Sequence, residues 1–401
     1  MTRVSITRKI NVRDPSVLPA WVPEPGTFKD ISTNTLFQVR PTGWPTSESA
    51  GPFANWAGGV YCADFGSAGA LAVFGSGHLS QGSPLWAGVW AFDLATLGWL
   101  GRNVPSQPLL ENSTDYDQYG QSIVPATLGH PYAPHTYDGL VYQPTANGGG
   151  ADGSLIQLCS AGTPIAGAKR VLRFDLSSAS DAPTRVIDNL AAVSGSYPAS
   201  CSDTTRGGFW ATSGNGQGTL SFVSFADWSV TAYPGVAFNS YGNTSLIYVP
   251  DRDCIVALSS GSGGVGTDVR VCPIVGGVPQ GWALVVQAGS MPDARAGGVW
   301  STILGCIVSY KGTDSYAADL SSGYVVHKLA IPSNLVSGTW SWTTETLAGV
   351  GGAVPQITRD GNNNVLNNGS WSRFVEAPSA RCFLFVGSIN GPVQAWRLTG
   401  M

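Results

Sequence analysis

The chain is short of charge. Asp, Glu, Lys and Arg make up 11% of its 401 residues, against roughly a quarter in an average globular protein. Only five of the 21 basic residues are lysine and the net charge is −4, so the basic stripe of a nucleic-acid-binding surface is absent. The one local excess of positive charge, Arg3, Arg8, Lys9 and Arg13 against Asp14, reads as a solvated extended tail. Long apolar runs are missing as well. None approaches the roughly 18 residues of a spanning helix, so membrane insertion is not expected. The opening Met1-Thr-Arg-Val-Ser-Ile-Thr-Arg-Lys-Ile10 lacks the apolar h-region of a secretory signal, which leaves a cytoplasmic protein or a component of a particle such as a virion. Paired cysteines are lacking too. There are seven (Cys62, Cys159, Cys201, Cys254, Cys272, Cys306, Cys382), with no CxxC and no zinc-like spacing. They read as buried free thiols acting as small hydrophobes in a reducing compartment.

What the chain does have is hydrophobic residues at 43%, with 52 Gly and 26 Pro. That apolar content excludes disorder, which needs low hydrophobicity and high charge. Gly and Pro punctuate short segments rich in Val, Tyr, Trp, Phe and Thr, the signature of a β-rich, turn-dense protein. Six apolar runs each end in a glycine-bearing turn: Leu71-Ala-Val-Phe-Gly75, Leu155-Ile-Gln-Leu-Cys159, Phe209-Trp-Ala-Thr-Ser213, Cys254-Ile-Val-Ala-Leu258, Cys306-Ile-Val-Ser-Tyr310 and Cys382-Phe-Leu-Phe-Val386. A small unit recurring with variable insertions predicts a radial or stacked repeat fold, because one unit cannot bury its own apolar face.

Each repeat extends to four strands. The runs above are second strands. First strands precede them, as in Gly58-Gly-Val-Tyr-Cys-Ala63 and Ser245-Leu-Ile-Tyr-Val249, and third strands follow, as in Arg170-Val-Leu-Arg-Phe-Asp-Leu176 and Tyr316-Ala-Ala-Asp-Leu320. The sixth repeat reaches Leu398 without a fourth strand. Thr35-Leu-Phe-Gln-Val-Arg40 is predicted to supply it and close the ring. The expectation is an all-β, six-bladed β-propeller over 31–401 with an extended arm over 1–30. Seven blades are the alternative if the 330–369 insertion, which holds Thr339-Trp-Ser-Trp-Thr-Thr-Glu-Thr346, is itself a blade. A second insertion spans 101–133.

Val89-Trp-Ala-Phe-Asp-Leu-Ala-Thr-Leu-Gly-Trp99, with the Asp-Leu turns Asp175-Leu176 and Asp319-Leu320 and the tryptophans Trp228 and Trp282, resembles the kelch-like and galactose-oxidase-like propellers over nearly the whole chain. The likeness implies a propeller fold, and propellers host unrelated activities. The oxidase branch would need two histidines and two tyrosines around copper, one tyrosine cross-linked to cysteine. Only His78, His130, His135 and His327 are present, with no interpretable Tyr and Cys spacing. No cofactor or metal is therefore expected, and His327 is read as lying on an exposed strand.

Residues at the start of the first strands should ring the channel mouth: Trp56, His135, Tyr197, Asn243, Arg295 and Trp371, with Arg206 and Arg373 nearby. Such a rim suits a sugar or peptide, and equally suits a plug of mutual hydrogen bonds. Glycoside hydrolysis would need two carboxylates flanking the bond. Glu111, Asp115, Asp117, Asp138 and Asp203 are the loop acids, and surface or turn roles account for all five. No catalytic residue is assigned. The expected function is a non-catalytic structural or binding propeller: a phage virion component (tail, adhesion or decoration protein) held to other virion proteins by its arm and contacting a host surface glycan. The alternative is a carbohydrate-binding or carbohydrate-active protein with its site at the channel mouth.

Overall fold

The computed structural model describes residues 18–46, 51–53, 57–74, 84–110, 113–132, 136, 138–158, 170–190, 198–213, 215–241, 244–260, 267–289, 297–310, 324–354 and 371–401. The second strands fall where the apolar runs predict, at Ala70–Phe74, Ser154–Leu158, Gly208–Ser213, Cys254–Ser260, Cys306–Tyr310 and Cys382–Phe385. Ala70–Phe74 and Ser154–Leu158 are buried at every position. A strand covered on both faces reads as a continuous apolar run rather than an alternating one, and that is why these segments announced themselves.

Four antiparallel sheets form blades, each running from an inner first strand outward. The first blade holds Gly59–Cys62, Ala70–Phe74, Val89–Asp93 and Gly98–Arg102. The second holds Leu140–Gln143, Ser154–Leu158, Val171–Asp175 and Thr184–Ile187. Pro198–Asp203, Gly208–Ser213, Asn215–Ser224 and Val230–Tyr241 make the third. The fourth has Ser245–Val249, Cys254–Ser260 and Thr267–Val275, with Val278–Pro279 and Ala283–Leu284 on its outer side. Apart from a two-stranded pairing of Pro84–Leu85 with Leu109–Leu110, the rest is one nine-stranded sheet rather than two further separate blades, which corrects the expected six or seven. Gly297–Ser301, Cys306–Tyr310, Tyr324–Ala330 and Thr339–Gly349 lead to Thr27–Asp30, then to Gln394–Arg397, Cys382–Phe385 and Val375–Ala377, with Val286–Ala288 paired to Thr339–Gly349.

The fusion has a specific cause. Thr27–Asp30 pairs antiparallel with Gln394–Arg397 (Phe28 opposite Trp396) and parallel with Thr339–Gly349 (Phe28 opposite Gly349). The closing strand therefore joins what would otherwise be two outer edges. Phe28 is fully buried and stacks on Trp396 with ring centroids 4.4 Å apart. A Cβ on Gly349 would sit 3.0 Å from the Phe28 ring and 2.2 Å from the Ala353 carbonyl oxygen, so only glycine lets the backbones come this close.

N-terminal closure thus uses 27–30, not 35–40. Leu36–Val39 is a single helical turn, capped by Thr35 in a capping box with Gln38. The Thr-x-x-Gln spacing satisfies two backbone donors locally, which favours the turn over the strand that Leu-Phe-Gln-Val suggests. In the fifth repeat the third strand is Tyr324–Ala330; the expected Tyr316–Leu320 lies outside the described residues. The Thr339–Gly349 strand is the fourth strand of that repeat, not an insertion. Six of the hydrophobic clusters lie between successive units around the ring, for example Phe74 against Phe174 (5.1 Å) between the first and second blades.

Candidate functional site

The innermost strands converge on a cavity of about 340 Å³, within the range of small-ligand sites. Every unit contributes to its wall, and three layers of side chains can be read along it. Asp138 and Ser372 stand at one end. Gly59, Leu140, Ser200, Leu246, Gly298 and Phe374 follow, and then Tyr61, Tyr142, Ser202, Tyr248, Trp300 and Glu376. The period-2 alternation of a strand sends these residues to one face, and strand crowding sets their size. A Cβ on Gly298 would sit 2.7 Å from both Ile247 and Leu258. Thr204 and Pro250, both exposed, lie on the wall beyond the third layer, so the cavity opens on the face that carries the first-to-second-strand turns.

The tyrosine hydroxyls at this mouth are tied to the neighbouring unit. Tyr142 donates to Asp64 Oδ2 (2.9 Å) and accepts from the Asp64 amide (2.9 Å). Tyr248 donates to Asp253 Oδ1 (3.0 Å) and accepts from Arg206 (3.0 Å). Tyr61 shares a 3.3 Å bond with Ser379 and lies 3.3 Å from the Ala68 carbonyl. Around Arg206, Asp203 (fully buried) and Asp253 each accept at 2.7 Å, and Asp203 also accepts from Trp210 Nε1 at 2.9 Å. With their hydroxyls pinned, these residues give the cavity ring faces rather than donors.

Among the described residues, two carboxyl groups lie on the wall. Asp138 is 4% exposed. Its Oδ2 accepts from the Leu246 amide at 2.7 Å, its Oδ1 from Ser372 Oγ, and its backbone carbonyl from the Ser200 amide (3.0 Å) and hydroxyl (2.9 Å). One residue thus bonds to three other units, which places it at the ring axis. Burial raises its pKa well above the usual carboxyl range, against the lowering effect of the bonds from Leu246 and Ser245. Glu376 is 5% exposed and spans one junction only: Oε1 accepts from Ser301 Oγ, and Oε2 from the Thr302 amide (3.1 Å) and hydroxyl (3.2 Å).

Of the expected rim, Trp56, His135, Tyr197, Asn243 and Arg295 lie outside the described residues. Trp371 opens the turn Trp371–Arg373, and its side chain lies outside them too. Arg206 stands at the opposite end of the first strands, in its turn network. Arg373 is buried, donating to the Phe53 carbonyl at 3.2 Å with its guanidinium over the Phe53 ring, and burial lowers its pKa to about 9. A surface role fails for two acids: Asp138 is buried on the axis, and Asp203 is a buried ion-pair partner of Arg206 that also holds its turn by accepting from the Arg206 amide at 3.1 Å. Asp117 does hold a turn, accepting from the Tyr119 and Gln121 amides (both 2.9 Å). Glu111 lies outside the described residues. His327 is half-buried beside Trp342 rather than exposed. His130 is buried, and burial lowers its pKa. Among the described residues no group of His, Cys, Asp and Glu could hold a metal ion, and six cysteines are free thiols.

Sequence reasoning missed Asp138, Glu376, Tyr142, Tyr248 and Trp300 as wall residues. Aligning the first strands would have found the ring, since Tyr61, Tyr142, Tyr248 and Trp300 recur at one position in them.

No family model and no curated protein matches the chain, so the kelch and galactose-oxidase likeness is not shown at the level of family. Solved structures similar to it include an auxiliary nutrient binding protein from Bacteroides ovatus (12% identity, TM-score 0.43, 92% of this chain and 76% of that one). A nidogen/laminin complex is another (10%, 0.38, 72% and 85%). A third is a Penicillium chrysogenum alpha-L-arabinanase complexed with arabinobiose (11%, 0.47, 93% and 98%). What stands is the fold: a β-propeller, four of whose blades are separate sheets around a walled channel.

Proposed function

We propose that this chain is a non-catalytic binding propeller whose ligand seat is the central channel and whose ligand is a small saccharide. One observation carries the reading: the inner strands wall a cavity with aromatic ring faces, while Asp138, one of the two carboxyl groups on it, is bonded into the axis by the protein itself. Ring faces suit the apolar faces of a sugar. A hydrolase would instead need two carboxylates flanking the glycosidic bond, and of the two on the wall Asp138 is bonded into the axis by Leu246 and Ser372, which leaves Glu376 alone. A virion role with an N-terminal attachment arm, expected over 1–30, has to spare Thr27–Asp30, which is built into the sheet; it predicts that protein lacking residues 1–17 folds but fails to enter particles. The seat is tested by calorimetric titration with neutral and amino monosaccharides and disaccharides. Ser202→Trp, which plugs the channel, should abolish any binding seen. Retained binding in that variant would move the seat elsewhere.

A further inference from the structure

We infer that the ligand of the channel carries a positive charge: a protonated amine on a sugar-sized frame, seated against Glu376 between the ring faces of Tyr61 and Trp300. The inference rests on the channel being the seat, as proposed above, and it comes from the charge and hydrogen-bond inventory of the wall. Among the described residues, the wall holds two carboxyl groups, Asp138 and Glu376, and no lysine, arginine or histidine. Arg373, next in sequence to two wall residues, turns its guanidinium to Phe53 instead. Glu376 is buried, yet none of the ion pairs among the described residues includes it. A buried carboxylate held only by hydroxyls and an amide is short of a counter-charge, and a cation brought to it is worth more there than in water.

Most donors on the described wall are spent. The hydroxyls of Ser200, Ser202 and Ser372 donate to Asp138, Tyr142 and Asp138 respectively. Those of Tyr142 and Tyr248 donate to Asp64 and Asp253. Apart from Trp300 Nε1, which has no partner, and the Thr204 hydroxyl beyond the third layer, the described wall therefore offers lone pairs and ring faces. That surface accepts donors such as ammonium and hydroxyl groups, and has little to offer a carboxylate or phosphate. Tyr61, Glu376 and Trp300 lie on three successive inner strands of the ring. An aromatic face on each side of a carboxylate combines cation–π attraction with ion pairing.

Three probes of one frame separate charge from shape: D-glucosamine, D-glucose and D-glucuronate, titrated into the full chain by calorimetry. Glucosamine should bind at least tenfold more tightly than glucose, and glucuronate should not bind. Glu376→Gln, which keeps an acceptor for Ser301, should bring glucosamine down to the level of glucose. Tyr61→Leu, which keeps apolar bulk and removes the ring, should lower glucosamine affinity more than glucose affinity, and it decides the matter if the Gln variant does not fold. Equal binding of glucosamine and glucose by the unaltered chain would overturn the charge assignment and leave the seat standing, as would a preference that both variants keep. Binding of none of the three would overturn the assignment and the seat together.

Discussion

The two ends of the channel hold the same chemical group in opposite circumstances. At the inner end, the Asp138 carboxyl accepts from the Leu246 amide and the Ser372 hydroxyl while its backbone carbonyl accepts from Ser200, so the residue ties three other units together across the axis. At the mouth, Glu376 reaches only Ser301 and Thr302 of the adjacent unit, with the cavity open beside it. The first is a structural hub and the second keeps capacity for a ligand. The difference teaches that burial alone does not separate a functional acid from a structural one, for the two are 4% and 5% exposed. The number of chain segments that converge on each does.

Asp138→Ala should break this contrast most severely. It strands the Leu246 amide and the Ser372 hydroxyl at the axis, and each buried unsatisfied donor costs about 1–3 kcal/mol, so a loss of about 3 kcal/mol or more is expected in chemical denaturation. The next effect is on pH. Burial raises the Asp138 pKa, so the folded state holds its proton more tightly than the unfolded one. The contribution to stability is full below the unfolded value of about 4 and is lost as pH rises from there through the folded value. Asp138→Asn cannot ionise. The stability of the unaltered chain relative to this variant, followed by thermal melts, should therefore fall as pH is raised, and a constant difference would contradict the assignment. The smallest effect belongs to the mouth. Tyr142→Phe loses its bonds to Asp64 but keeps its ring, so stability in chemical denaturation should drop by about 1 kcal/mol.

Much of the fold was legible because second strands are covered on both faces and so print as continuous apolar runs. Asp93 and Asp175 were legible for a related reason: each accepts from a nearby backbone amide (Ala95 at 2.8 Å, Ser177 at 3.0 Å), a local bond that fixes a residue type at a fixed offset. The closing strand was misplaced because two tetrads compete. Leu36-Phe-Gln-Val39 looks more strand-like than Thr27-Phe-Lys-Asp30, and only the capping pair Thr35 and Gln38 marks the former as helical. The channel wall was the least legible part. Asp138 sits before Gly139 like any turn acid, and its partners Ser200, Leu246 and Ser372 lie 62, 108 and 234 residues away. No local pattern encodes contacts of that range.

The pairing of Thr27–Asp30 with Gln394–Arg397 also bears on how the protein is made. Asp30 and Gln394, bonded through their side chains, are 364 residues apart. At roughly 5–20 residues per second, their emergence from a ribosome is separated by about 20–70 s. During that interval the strand has no partner on its Gln394 side and the ring stays open. Each blade can form as it emerges, but the fully bonded ring exists only after the final junction, and the channel with it. A nascent chain of this protein thus exposes a free strand edge throughout its synthesis, and that edge is a natural point for a chaperone to guard.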